Sequence, residues 1–197
     1  MKERPVRIDR VVSSRDELLI VVDELDREIG SMTKARCHEG DGVLHRAFSL
    51  LLFNTAGEML LQQRSATKEL WPLHWSNSCC SHPRHGESMG HAIHRRLDEE
   101  LGLRTELSFL FKFRYQARYE DVGSEHEVCS VYFGVSDEPP SPNRHEIAES
   151  RWLSPVEIDE ELRAEPARFT PWFAMEWRRL RAGHAELFDN RVGVDYS

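Results

Sequence analysis

The stretch NSCCSHP at 77–83 concentrates side chains that bind metals, form disulfides or transfer protons. A zinc site made of cysteines needs two closely spaced pairs of ligands, and the remaining cysteines, Cys37 and Cys129, are isolated. A disulfide between the adjacent Cys79 and Cys80 would close a strained ring. The stretch is therefore interpreted as neither a zinc knuckle nor a disulfide, which leaves a buried apolar pair or a working thiol.

Histidines and glutamates supply a second set of possible metal ligands. His38 and His45 lie in and just after a predicted loop, and His82 lies within the NSCCSHP stretch. Glu125 and Glu127 lie two residues apart on a predicted strand, so their side chains share one face. Two such carboxylates repel each other unless a cation lies between them, which favours a divalent ion such as magnesium, manganese or zinc. A solvated edge strand with the sequence Glu-His-Glu is the alternative.

A predicted helix at 87–101 ends in the acidic run Asp98, Glu99 and Glu100. Carboxylates are unfavourable there, because the C-terminal end of a helix carries the negative end of its dipole. Two interpretations remain: the acidic run binds a cation that accompanies a phosphorylated substrate, or it is a solvated helix end. Gly102 is suited to terminate this helix.

Strands and helices alternate along the chain, which predicts an α/β sandwich. Strands are predicted at 17–24, 106–119 and 125–136, and two apolar runs at 46–65 predict a hairpin with its turn at 54–57. The polar, glycine-containing segment at 26–44 is predicted to be turn and loop. Besides the helix at 87–101, a capping box with Pro155 predicts a helix beginning after Ser154, and a further helix is predicted at 171–182.

The length predicts one domain over 1–197, with a core at about 17–180, because the terminal segments outside these bounds carry no usable sequence signal and are expected to be peripheral. The chain has 197 residues, of which 40% are hydrophobic and 30% charged. Its net charge of −8 argues against a general nucleic-acid binder. No apolar run is long enough to span a membrane, and the N-terminal sequence lacks the apolar region of a signal peptide. We therefore expect a cytoplasmic protein with reduced thiols and no membrane partner.

The helix at 87–101 and its flanks resemble the Nudix signature, G-x5-E-x7-R-E-U-x-E-E-x-G-U, in which U is a bulky apolar residue. Two positions depart from it, because Ser81 stands at the opening glycine and Arg96 at the glutamate after the arginine. The resemblance implies a Nudix-like α/β/α sandwich with a mixed sheet. The cation at Arg96 suggests contact with an anion such as phosphate. The matching residues are Glu87, Arg95, Leu97, Glu99, Glu100, Gly102 and Leu103.

Four further stretches, taken in order, resemble the type I isopentenyl-diphosphate isomerase family. They are LHRAFSLLLFN at 44–54, WPLHWSNSCCSHP at 71–83, FRYQARY at 113–119 and SEHEV at 124–128. The resemblance covers roughly 22–172. It implies an enzyme of isoprenoid precursor biosynthesis that interconverts isopentenyl diphosphate and dimethylallyl diphosphate. The implied partner is therefore a small-molecule diphosphate substrate. The oligomeric state is left open.

The resemblance also implies a role for particular residues. Cys80 and Glu127 are the implied catalytic pair, and Tyr115 lies beside them. A Mg²⁺ ion on the substrate diphosphate is assigned to Glu100, and a second divalent ion, Mn²⁺, Mg²⁺ or Zn²⁺, to a site of histidines and glutamates. Trp172 is the implied aromatic residue over the alkene. The implied ligands of the second ion are His38, His45, His82, Glu125 and Glu127, and the implied diphosphate-binding cations are Lys34, Arg64, Lys68 and Arg96.

The implied reaction adds a proton at C4 of the substrate and removes one at C2, through a tertiary carbocation-like state. It requires an acid and a base on opposite sides of a dry cavity, and which of Cys80 and Glu127 is the acid is left open. One alternative is a Nudix hydrolase acting on a diphosphate compound, against which Arg96 speaks. The other is a metal-bound binding module, against which the intact Cys80, Glu127 and Tyr115 speak.

Overall fold

The apolar run at 45–53 forms the central strand of the fold. In the computed structural model, which describes residues 9–184 and 187, this run is β3 (His45–Phe53), and all but one of its residues are buried. Strands buried on both faces are typical of a sheet covered by helices on two sides. The remaining strands of this sheet are β1 (Leu18–Val22), β2 (Glu28–Thr33), β4 (Met59–Arg64), β5 (Trp75–Ser76), β6 (Cys79–Ser81), β7 (Ser108–Tyr119), β8 (Gly123–Val135) and β9 (Ile147–Leu153).

The sheet is mixed. β3 and β8 run parallel along the whole of β3, whereas the other pairings between these strands in the described part of the chain are antiparallel. β3 also pairs with β6, and β8 pairs with β7 on its other side. A parallel pair needs a long crossover connection, and here that connection contains a helix. The helices are α1 (Lys34–Cys37), α2 (Met89–Leu101), α3 (Pro155–Ala164) and α4 (Pro171–Gly183).

Alternate residues of β3 contribute to two cores on opposite faces of the sheet. Phe48 and Leu50 pack with the apolar residues of α2 on one face. Ala47 and Leu51 belong to the core on the other face, which includes residues of α3 and α4. The alternation follows from the strand period of two residues. The predicted α/β/α sandwich with a mixed sheet is confirmed.

Most of the predicted elements are also confirmed. β1, β7 and β8 overlap the predicted strands, and α2, α3 and α4 overlap the predicted helices. Gly102 follows α2 with a left-handed φ of 64°, as its role at the helix end requires. Both hydrogen bonds of the capping box between Ser154 and Glu157 are present at the start of α3.

The prediction of turn and loop at 26–44 is wrong in part, because β2 and α1 lie there. β2 is an edge strand whose first four residues are exposed, so its sequence lacks the alternation from which a strand is predicted. It forms through pairing with β1, from Leu18 opposite Thr33 to Val22 opposite Glu28. A tertiary contact therefore overrides the local preference of this segment.

The predicted turn at 54–57 is present, with Gly57 at a φ of 81°. β3 and β4 nevertheless share one residue pair, Phe53 with Met59, because β3 pairs with β8 and β6 while β4 pairs with β9 and β5. The two apolar runs thus separate after the turn. Among residues 9–184 and 187, no helix has both the length and the apolar character that a membrane-spanning helix needs.

Candidate active site

Three neighbouring strands align the central polar residues of the site. In the sheet, His45 on β3 lies directly opposite Glu127 on β8, and Glu127 lies directly opposite Tyr115 on β7. The Tyr115 hydroxyl donates a hydrogen bond of 2.7 Å to Glu127 Oε2. Because Glu125 precedes Glu127 by two residues, its side chain emerges from the same face of β8. The strand register therefore places these four side chains side by side.

The five histidines and glutamates proposed as metal ligands converge on one point. One donor atom of each lies within 4.8 Å of the donor atoms of all the others. His82 Nε2 is 2.9 Å from Glu127 Oε1, and His38 Nε2 is 2.8 Å from Glu125 Oε2. His45 Nε2 is 3.7 Å from Glu127 Oε1. Three imidazoles with two carboxylates form a donor set that suits a divalent transition metal or magnesium.

The hydrogen bonds around this cluster fit a metal ion. His38 Nδ1 lies 2.7 Å from the Lys34 carbonyl and His45 Nδ1 lies 2.7 Å from the Val43 carbonyl, which orients each Nε2 atom toward the cluster. His45 Nε2 is buried and has no hydrogen-bond partner among the described residues. A buried polar atom without a partner is costly, and a cation bound in the cluster would satisfy it.

Electrostatics within the cluster also favour a cation. Burial lowers the pKa of His45 to about 4 and the pKa of His82 well below its usual value, so both imidazoles are neutral, as metal ligation requires. Burial and the Glu125 charge raise the pKa of Glu127 well above its usual range. Burial opposes ionisation of Glu125 as well, but the neighbouring His38 holds the pKa of Glu125 below its usual value. The two carboxylates thus compete for ionisation.

The adjacent cysteines of β6 lie on opposite faces of the sheet. Cys79 is fully buried in the core beside α2, and Cys80 packs against the other core and lines a cavity of about 310 Å³. All four cysteines are free thiols. Burial raises the pKa of Cys80 to about 12, although the Arg64 guanidinium, 3.9 Å from its Sγ atom, opposes the shift. Cys80 is therefore protonated at neutral pH.

The same cavity brings together the cations proposed to bind a diphosphate, and its wall also includes Glu127, Tyr115 and Trp172. Burial lowers the pKa of Lys34, and the charges of Lys68 and Arg96 lower it further. Several cations that repel one another in a partly buried wall favour an anionic ligand. The wall contains all four of the proposed cations, Lys34, Arg64, Lys68 and Arg96, and also Arg15.

Comparisons with known proteins agree with this arrangement. Residues 43–173 match the NUDIX domain family. The chain is 48% identical to the isopentenyl-diphosphate Delta-isomerase of Nocardia farcinica, over 78% of this chain and 89% of the relative. It is 41% identical to isopentenyl-diphosphate Delta-isomerase 1 of Photorhabdus laumondii, over 85% of this chain and 97% of the relative. The chain belongs to the isopentenyl-diphosphate Delta-isomerase family.

The fold is shared more widely. A crystal structure of DR0079 from Deinococcus radiodurans superimposes with a TM-score of 0.63, covering 75% of this chain and 90% of that chain. Because the sequence identity is 24%, this likeness shows a shared fold and nothing further. Membership of the isomerase family therefore rests on the sequence relatives, and the Nudix architecture is its scaffold.

One of the two departures from the Nudix signature, Arg96, lies in a buried ion network in this isomerase family member. Arg96 is 2% exposed and donates to Glu100 Oε1 through both Nε and Nη2, at 3.0 and 2.5 Å. Its Nη2 atom also lies 3.3 Å from Glu146 Oε2, and Lys68 pairs with the same carboxylate. Although burial opposes it, Lys68 and Arg96 lower the pKa of Glu146 to about 2. Glu100 thus contacts the arginine in this structure.

Trp172, at the first turn of α4, lines the cavity beside the catalytic candidates. Its ring centroid lies 6.2 Å from that of Tyr115 and 5.3 Å from that of Trp71. The Arg64 guanidinium carbon lies 5.2 Å from the centre of the Trp172 ring. One face of this indole therefore already receives a positive charge.

Several residues of the isomerase site had no sequence motif to identify them. Ser13, Ser14 and Arg15 line the cavity, in a segment from which sequence patterns indicated nothing. Glu146 is a further wall residue, in the ion network described above. Glu176 is buried on α4 and does not line the cavity. The sequence could have identified it, because it interrupts the apolar stripe formed by the buried residues Trp172, Phe173, Trp177 and Leu180.

Proposed function

We propose that the protein interconverts isopentenyl diphosphate and dimethylallyl diphosphate and so supplies isoprenoid precursor biosynthesis. The observation that carries the proposal is a single cavity of about 310 Å³ whose wall contains a thiol, a carboxylate paired with a phenol, an indole and five Lys and Arg side chains. That volume is at the lower end of the range for ligand sites, roughly 300–1,000 Å³, which suits a five-carbon diphosphate.

Cys80 and Glu127 are proposed as the two groups that exchange protons with the substrate. Cys80 rests as a thiol, since burial raises its pKa to about 12, and it can give a proton to a carbon atom within reach. Glu127 is oriented by the hydrogen bond from Tyr115. An alkene is a very weak base, so each group must be held against the reacting carbons in a dry site. The group that is the acid in one direction is the base in the reverse direction.

Trp172 and the buried wall are proposed to protect the carbocation-like state. The indole face attracts positive charge, which is worth roughly 0.5–2 kcal/mol when water is excluded. This is less than the ~10²–10⁴-fold that each general acid or base contributes. Trp172 is 2% exposed and Tyr115 is 7% exposed, so both limit the access of water that would capture the cation.

The cations are proposed to bind the diphosphate, which is remote from the reacting carbons. Its binding energy then positions the alkene between Cys80 and Glu127. Glu100 would hold a Mg²⁺ ion that accompanies the diphosphate, and Mn²⁺, Mg²⁺ or Zn²⁺ would be held by His38, His45, His82, Glu125 and Glu127. When bound, these ions neutralise phosphate charge and orient the carboxylate of Glu127. The proposal places the reaction in the cytosol, where a thiol such as Cys80 stays reduced.

Incubation with isopentenyl diphosphate and Mg²⁺ in D₂O tests the proposal. We expect an acid-labile allylic diphosphate, with deuterium entering the substrate at the carbon that becomes a methyl group. Metal content is measured on the same sample, and Cys80→Ala serves as the control for non-enzymatic reaction. Absence of product from a metal-loaded sample overturns the proposal. Release of inorganic phosphate without isomerisation would instead identify a Nudix hydrolase.

A further inference from the structure

Asn77 connects the strand that carries Cys80 to the helix that carries Trp172. It lies between β5 and β6 and is fully buried. Its Oδ1 atom accepts a hydrogen bond from the Trp172 indole N–H at 3.2 Å. Its Nδ2 atom donates to the Cys79 carbonyl at 2.7 Å, at the peptide that precedes Cys80. One amide therefore touches both proposed elements of the reacting site.

Both the oxygen and the nitrogen of the Asn77 amide make further polar contacts. Asn77 Oδ1 also accepts from the Ser76 hydroxyl at 2.9 Å, and Nδ2 lies 3.4 Å from the Leu50 carbonyl on β3. Ser76 Oγ is in turn 2.9 Å from Thr170 Oγ1, and Thr170 is the N-cap residue of α4. A fully satisfied buried polar network fixes one arrangement of its members, because every alternative leaves a buried group unpaired.

The indole of Trp172 has few other polar restraints on its orientation. Its described ring contacts are with Trp71, Tyr115 and the Arg64 guanidinium, and such contacts tolerate rotation and sliding. The N–H of a buried indole needs an acceptor, and Asn77 Oδ1 supplies it. The same side chain holds the backbone at Cys79, so the indole and the Cys80 thiol are fixed relative to each other.

We propose that Asn77 is a positioning residue that sets the separation between the Cys80 thiol and the Trp172 ring. The inference rests on the proposed function, because those two groups are taken to act on the same alkene. None of the described hydrogen bonds of the amide goes to Lys34, Arg64, Lys68 or Arg96, so it reaches the proposed diphosphate-binding cations only indirectly, through the Trp172 ring that the Arg64 guanidinium overlies. Asn77 is therefore expected to affect kcat much more than KM.

Kinetics of Asn77→Ala, with Ser78→Ala as a matched control, test this role. Ser78 is equally buried and bonds to the Leu60 carbonyl and the Leu52 amide, away from Cys80 and Trp172. We expect Asn77→Ala to lower kcat by about 10–100-fold with KM within about threefold, since misplacement of about 1 Å can cost ~10²-fold. Ser78→Ala is expected to lower the melting temperature comparably and to leave kcat within about threefold. Equal losses of kcat in the two variants overturn the proposal.

A spectroscopic measurement separates positioning from general destabilisation. The ¹H–¹⁵N indole signal of Trp172, assigned by its loss in Trp172→Phe, reports the hydrogen bond to Asn77. Asn77→Ala is expected to shift this signal. Asn77→Asp has nearly the same shape and keeps an acceptor for the indole, but its ionised carboxylate has no donor for the Cys79 carbonyl. The hydrogen-bonded indole signal is therefore expected to persist, moved downfield by the charged acceptor, while kcat falls as the pH rises through the pKa of the new carboxyl group. An indole signal that does not move in a folded Asn77→Ala variant contradicts the proposed contact.

The two proposals fail in different ways. If the wild-type protein makes no allylic product, the proposed function is wrong, and the indole signal alone decides whether Asn77 holds Trp172. If the wild type is active and Asn77→Ala retains the wild-type kcat, the proposed function stands and the positioning role is wrong.

Discussion

At the scale of single residues, adjacent cysteines of β6 differ because successive side chains of a strand point to opposite faces. Cys79 is enclosed in the core beside α2, whereas Cys80 reaches the cavity. Burial raises the pKa of both thiols, so ionisation does not distinguish them at neutral pH. Access to the cavity distinguishes the two thiols, because only Cys80 lines it. Substitution of Cys79 is therefore a suitable control for substitution of Cys80.

Replacement of either proposed proton-transfer group is expected to abolish most of the activity. Cys80→Ala and Glu127→Gln should each lower kcat by at least ~10²–10⁴-fold, the usual contribution of a general acid or base. Cys79→Ala removes the same atoms one residue earlier and should leave kcat within a few-fold of the wild-type value. Initial rates are compared after folding and metal content have been verified. Substantial turnover by Cys80→Ala or Glu127→Gln would contradict the assigned roles.

Glu176 is a buried acid that makes the stability of the protein depend on pH. Burial raises its pKa from 4.5 to about 8, although a hydrogen bond with Ser49 opposes the shift. Above about pH 4.5 the unfolded chain releases this proton, while the folded protein retains it until about pH 8. The free energy of unfolding therefore falls as the pH rises across this interval and levels off above it.

Glu176→Gln is expected to remove this dependence. The variant should be more stable than the wild type by on the order of a few kcal/mol at pH 8, with the difference disappearing near pH 4. Urea unfolding at several pH values measures the difference. Glu160→Gln, on the exposed side of α3, is the matched control for loss of a surface carboxyl. A constant difference between Glu176→Gln and the wild type from pH 4 to pH 8 would show that Glu176 is ionised in the folded protein.

At the scale of elements, the register of β3, β8 and β7 determines which polar side chains meet. Parallel pairing places His45 beside Glu127, and antiparallel pairing places Tyr115 on the other side. His126 lies between the two glutamates in sequence, but its Nδ1 atom is directed to the Gly42 carbonyl, 3.3 Å away. Because successive side chains of β8 point to opposite faces, Glu125 and Glu127 face the proposed metal site and His126 faces away from it.

Metal binding is expected to follow this alternation. Glu125→Ala should weaken binding of a divalent ion by at least ~10–100-fold, since even residues that only support ligands contribute that much. His126→Ala, on the opposite face of β8, should bind as the wild type does. Metal content after dialysis against a weak chelator measures the difference. The chelator should also lower the melting temperature of the wild type and of His126→Ala, because an ion bound only by the folded state stabilises it. Equal metal content in the two variants would argue against the five-ligand site.

Elements with a local signature were predictable from the sequence, and elements that depend on pairing were not. α2 and α3 have caps and an apolar stripe within their own sequences. β2, β6 and β9 are defined by the strands beside them, and no local pattern indicates such partners. The same division holds in the site. Glu125 and Glu127 were linked by their spacing, whereas the proximity of Ser13 to Lys34 and Arg96 arises only from folding.

At the scale of the whole molecule, an acidic protein has several cations gathered in the wall of one cavity. The net charge of −8 repels an anionic substrate at long range, but the cavity wall contains several cations. Charges in a concave, partly buried wall act more strongly than exposed charges, which solvent and salt screen. Under the proposed function, the local arrangement of these cations therefore outweighs the net charge in recognition of the diphosphate.

The segment at 9–14 completes this cavity from outside the recognised motifs. Arg96 Nη1 donates to the Val12 carbonyl at 3.0 Å, and Lys34 Nζ lies 3.4 Å from the Ser13 hydroxyl. Ser13 Oγ is also 3.5 Å from Arg96 Nη2. The segment thus orients two of the cations proposed to bind the diphosphate and shields them from water.

Removal of residues 1–14 is therefore expected to raise KM for isopentenyl diphosphate by about tenfold, equivalent to roughly 1.4 kcal/mol of binding. The fall in kcat should be smaller, because Cys80, Glu127 and Tyr115 are held by the sheet. A variant lacking only residues 1–8 retains the contacts of Val12 and Ser13 and isolates the contribution of 9–14. Steady-state kinetics at two salt concentrations measure the effect, and greater screening of Lys34 and Arg96 should make KM of the shorter variant more sensitive to salt. Identical KM values for the two truncated variants would mean that the segment covers the cavity without assisting recognition of the diphosphate.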